Sequence, residues 1–67
     1  MGTETELTCG DVVLLGLLAD GLSPEEVAGR VGLSGRTVRR RIRAVCDRLG
    51  VATPIEAVVW AVRRGVI

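Results

Sequence analysis

Between residues 35 and 49 the apolar positions Val38, Ile42, Val45 and Leu49 recur at spacings of four, three and four, which places them on one face of a helix. Cys46 borders that stripe, and the arginines at 36, 39, 40 and 43 fall opposite it. Eleven valines make strands worth weighing, but the periodicity is helical and the helix boundaries are well marked. Ser23-Pro24-Glu25-Glu26 reads as a capping box: the serine hydroxyl accepts a free backbone N–H, the glutamate three positions on reaches back, and proline fits the first helical position. Thr53-Pro54-Ile55-Glu56 repeats the device, Ser34 starts another segment, and Thr8 is a candidate cap with Asp11 at the positive end of its helix. Glycines at 21, 32, 50 and 65 each follow a periodic stretch, where helices commonly end. The expectation is an all-α domain with helices at roughly 8–20, 24–31, 35–49 and 54–64. Gly32-Leu33-Ser34 forms a three-residue turn between the second and third, glycine first, with Leu33 expected to plug the core. That is a helix-turn-helix arrangement, in which the second helix of the pair is presented to the DNA major groove.

Length and composition narrow the function. Sixty-seven residues make one small domain with a single modest core, preceded by a short acidic leader, 1–6, expected to be flexible; the domain proper is 7–67. The longest apolar run, Val12 to Leu15, breaks at Gly16 and resumes with Leu17-Leu18-Ala19, short of the ~20 residues of a membrane helix. No basic stretch followed by an apolar one marks a signal peptide, so a cytoplasmic protein is expected. There is no histidine and no tyrosine, and two cysteines far apart make neither a disulfide framework nor a metal site. No cofactor, no metal and no enzymatic activity are expected. The net charge of +1 conceals an asymmetry: residues 1–29 hold six acids and no base, whereas 30–48 hold seven arginines against Asp47 alone, a local +6. Such a distribution suits a polyanion on one face, and nucleic acid is the usual one. All nine basic residues are arginine, which suits bidentate recognition and equally a GC-rich genome.

With these elements in place, the sequence resembles the LuxR-type (GerE-like) DNA-binding domain of bacterial response regulators and quorum sensors. The likeness runs from Leu7 to the end: "LT" at 7–8, "LLADGLSPEEVAGRVGLSGRTVRRRI" at 17–42, "RLGV" at 48–51 and "EAVVWAVRRGVI" at 56–67. There are departures from the family pattern. Gly10 replaces a usual arginine, Val13 a usual glutamate, Arg41 a common histidine and Pro54 a common arginine. A sigma-factor region 4 module shares the serine-capped turn and the Thr-Val-Arg entry, but its pattern does not normally carry the final Glu-Ala-Val and Arg-Gly-Val-Ile segment that supplies a fourth helix.

The resemblance implies a four-helix domain of the bacterial nucleoid that binds an inverted-repeat operator as a homodimer. The family's base-facing positions fall on Arg39, Arg40 and Arg43, and arginine's planar fork can grip guanine O6 and N7 together. Contacts to phosphate alone are the competing reading for each. Arg36, Thr37 and Arg41 are better placed for phosphates, as are the free N–H groups around Ser34 and Gly35. Val38 belongs to the apolar stripe and is expected in the core rather than against a thymine methyl, and Arg30 and Arg48 read as plain surface charge. In the fourth helix Ala57, Val58 and Ala61 should face inward. Ile55, Val59, Val62 and Val66 lie on the remaining surface; Ile55, Val59 and Val62 are the candidate dimer face, since similar proteins pair through this helix. Trp60 is expected to pack against the seam of the first and fourth helices, and both cysteines read as inert, Cys46 buried. A different class of function stays open: a protein-interaction module using the helix 1 surface of Val12, Val13 and Leu17 together with helix 4. RNA polymerase or a regulatory domain are further candidate partners, because the family domain ordinarily ends a longer chain that carries the signal-receiving part.

Overall fold

Four helices follow one another in the computed structural model, which describes residues 7–67: α1 (Cys9–Ala19), α2 (Pro24–Val31), α3 (Gly35–Leu49) and α4 (Pro54–Arg63). The acidic leader lies outside the described residues, among which there is no strand. Each helix starts where a hydroxyl side chain accepts an N–H that the helix leaves without a partner. Thr8, Ser23 and Thr53 head complete capping boxes with Asp11, Glu26 and Glu56, while Ser34 accepts from the Thr37 N–H. A left-handed glycine follows each of the four helices, and at two of them it is itself the C-cap. Gly32 and Gly50 sit in the left-handed region at φ 74° and 72°, where a Cβ would be strained, and each turns the chain so that the following residue, Leu33 or Val51, donates back into the last helical turn.

The core is built from one side of each helix: Leu14 and Leu15 of α1, Val27 and Ala28 of α2, Val38, Ile42, Val45 and Cys46 of α3, Ala57 and Ala61 of α4. α1 and α3 each touch all three other helices, whereas α2 and α4 do not meet. Val38 is fully buried. At ~1.5–3 kcal/mol for a buried aliphatic side chain, its place is the core and not a DNA contact. Small residues at 57 and 61 let α4 approach closely.

Four expectations are corrected. Leu33 does not plug the core: it is 36% exposed and is not among the residues packed against it. Val66 is not on the free surface but packs half-buried against the core, where the turn through Gly65 brings its N–H onto the Ala61 carbonyl. Arg48 is not plain surface charge, since its guanidinium lies 3.2 Å from the Asp11 carboxylate. The helix 1 surface shrinks as well: Leu17 packs on the core and Val12 is half-buried, leaving Val13 as its one exposed member. Trp60 is half-buried against the core, with the Arg64 guanidinium 4.6 Å above its ring.

Candidate nucleic-acid interface

α3 presents its polar side between the starts of two other helices. At ~100° per residue, Arg36, Arg40, Arg43 and Asp47 fall within about 60° of arc, directly opposite the buried stripe. Together with Arg39 these residues line one shallow groove closed by Pro24 at the start of α2 and by Ala52 and Pro54 at the start of α4. Arg36, Arg40 and Arg43 are exposed and, among the described residues, none of them has a carboxylate partner. The stripe therefore carries three available guanidinium groups along about two turns of helix, a spacing that suits successive acceptors on a duplex.

Of the sequence-derived candidates, Arg39, Arg40 and Arg43 share this groove, and so does Arg36, which the sequence reading separates from them. Arg41 is elsewhere. Its Nη1 lies 3.9 Å from the point where a Cβ on Gly10 would stand, so it flanks the start of α1. Thr37 turns to the same flank, half-buried, and its hydroxyl oxygen accepts from the Ser34 hydroxyl at 3.0 Å. That bond, together with the N–H of Thr37 on Ser34 Oγ at 3.1 Å, commits the Ser34 side chain to the cap. The next amide, Val38, bonds the Ser34 carbonyl, which leaves the Gly35 and Arg36 N–H groups without a partner among the described residues. α3 is also the one helix of the four with no acid of its own in its first turn, so the positive end of its dipole is not offset from within.

One residue of the site goes unnoticed in the sequence. Glu25, read there as part of the α2 cap, pairs with Arg39 across the turn. Its Cγ and Oε2 both lie 3.9 Å from the Cβ point of Gly35, so the carboxylate stands beside the start of α3. Glu25 and Arg39 have opposite charge, but they meet only through the way α2 packs on α3. Nothing in linear spacing singles out that pair from the others.

The remaining chemistry is sparse. Cys46 is buried at the groove floor, and burial pushes its thiol above the ordinary value, while Cys9 is exposed; both are free. Among the described residues no group of three or more ligating side chains could hold a metal ion, and no helix is long and apolar enough to cross a membrane. On α4, Ile55, Val59 and Val62 are 68%, 43% and 55% exposed and succeed one another at spacings of four and three, a contiguous aliphatic face remote from the core side.

The family model of the homeodomain-like domain matches residues 13–52, from within α1 to the turn after α3. Over 64 residues, 96% of this chain, the sequence is 36% identical to the transcriptional regulatory protein YdfI of Bacillus subtilis (strain 168). The chain spans 30% of the length of that relative. No solved structure gives a significant match.

Proposed function

The chain belongs to the homeodomain-like helix-turn-helix family, and from that premise we propose that it binds double-stranded DNA sequence-specifically as the DNA-binding part of a LuxR-type bacterial transcriptional regulator. The observation that carries this reading is the row of Arg36, Arg40 and Arg43, exposed and without carboxylate partners among the described residues, on the second helix of the motif. α3 enters the major groove; Arg40 and Arg43, with Arg39 beside them, read base edges, and guanine is the base whose paired acceptors fit arginine. Arg36, at the head of the same stripe, and the open amides of Gly35 and Arg36 engage phosphate, with Thr37 and Arg41 on a neighbouring strand segment. Ser34 acts by fixing the helix start. The likeness to a transcriptional regulator and the presence of α4 after the motif support the LuxR-type reading over a sigma-factor module. Two copies pair through Ile55, Val59 and Val62 on an inverted repeat.

Selection from random genomic fragments tests the reading: an enriched palindrome is expected. Against that site, Arg40→Ala or Arg43→Ala should cost ~1–3 kcal/mol and relax preference at one base pair each. Equal losses on selected and random DNA for both variants would show that they grip phosphate and read no base.

A further inference from the structure

We propose that Glu25 is a positioning residue that sets DNA specificity through Arg39, an inference that rests on the DNA-binding reading above. Arg39 and Glu25 are 59% and 57% exposed in their side chains, so their ion pair does little for stability. Its place in the fold is what matters. Glu25 stands in the capped first turn of α2, a rigid base, and its carboxylate meets two things: the Arg39 guanidinium and the start of α3 beside Gly35.

Two effects follow: one on Arg39, which carries the specificity, and one on phosphate binding at the helix start, which falls on every duplex alike. A guanidinium has five N–H donors in a planar fork. With one edge taken by Glu25, Arg39 turns its remaining donors in a fixed direction along the groove that it shares with Arg36, Arg40 and Arg43. It meets a base with paired acceptors already oriented, while its neutralised charge makes it a poor partner for phosphate. The second effect concerns the helix start. The Gly35 and Arg36 amides there would attract any phosphate, and a carboxylate 3.9 Å from the Gly35 Cβ point opposes that attraction. Sequence-independent binding is weakened at both places, and the base contact of Arg39 is kept. Glu25 thereby separates specific from random DNA although it touches no base.

The test compares the parent, Glu25→Gln, Arg39→Gln and the double variant on the selected duplex, on the same duplex altered at each base pair in turn, and on a random duplex across a salt series. Glutamine keeps the size of Glu25 and removes its charge. Glu25→Gln should bind random duplex about threefold to tenfold more tightly and steepen the salt dependence by about 0.9 in slope, the release of one further counterion by a freed Arg39. Its preference at one base pair should fall about tenfold. In the Arg39→Gln background the same change should no longer affect that preference. Parent protein that binds DNA while Glu25→Gln alters neither slope nor preference overturns the proposal alone. A loss of preference that persists with Arg39 already replaced overturns the route through Arg39. Failure of the parent to bind any duplex overturns the DNA-binding reading itself and this inference with it.

Discussion

A carboxylate taken out of water must be given hydrogen bonds or a partner charge, and Asp11, 5% exposed, has both. Its oxygen accepts the Thr8 N–H at 3.1 Å and stands 3.2 Å from the Arg48 guanidinium, so one side chain closes the cap of α1 and ties it to the last turn of α3. Removing one member of such a pair leaves the other charge poorly solvated. Arg48→Ala should therefore lower stability by about 1–3 kcal/mol in chemical denaturation, and a change under a few tenths would mean that the cap alone satisfies Asp11. Glycine within α1 acts oppositely. Nothing lies within 4 Å of a Cβ placed on Gly16, in the middle of the helix, so Gly16→Ala fills open space and removes backbone entropy from the unfolded chain. A gain of about 0.4–1 kcal/mol is expected by the same measurement; a loss would show that α1 needs position 16 bare of a side chain.

At the scale of the element, α2 is short, at eight residues, and depends on its ends. The Glu26 carboxylate accepts the Ser23 N–H at 2.8 Å, and this bond to the backbone, followed by the Ser23 side chain, holds its carboxyl below the ordinary 4.5. A depressed carboxyl contributes stability that is complete above the unfolded value and is lost as the pH falls through the folded one. Melting temperature should accordingly decline on acidification from about pH 4.5 downward. Glu26→Gln, which can still accept the bond but cannot be protonated, should fall less steeply over that interval. Parallel profiles for the two proteins would remove Glu26 from the acid response. This cap matters beyond α2, because the same first turn carries Glu25 and so fixes one wall of the groove.

At the scale of the whole molecule, a single domain offers one recognition helix, too little contact for the ~10⁻⁸ M affinities of specific regulators. The two-fold pairing proposed above would supply the rest and suit an inverted repeat with half-sites about one turn of DNA apart. The exposed aliphatic row of α4 is suited to face its own symmetry mate, and Val59 at its centre is outside the core. Val59→Asp should leave circular dichroism unchanged and abolish cooperative occupation of two half-sites, while binding to one half-site stays within about twofold of the parent. Undiminished cooperativity in the folded variant would place the dimer contact elsewhere.

What was legible in the chain was everything that acts over three or four residues. Thr8, Ser23, Ser34 and Thr53 as caps, the glycines that end the helices, and the stripe of Val38, Ile42 and Val45 all express bonds and packing within one helix, and the structure has each of them where the sequence reading places it. The arginine face of α3 was legible for the same reason, since a helix converts spacing directly into direction. The pairings between helices were not. Asp11 finds Arg48 and Glu25 finds Arg39 only because α3 crosses α1 and α2 at particular places, and any of nine arginines could have met either acid. Leu33 and Val66 show the same limit: apolar residues one step past a left-handed glycine go outward at one turn and inward at the other. Local hydrogen bonding and periodicity settle what each helix is. How the helices cross, and therefore which charges are left open to DNA, is settled by how their side chains fill a common core.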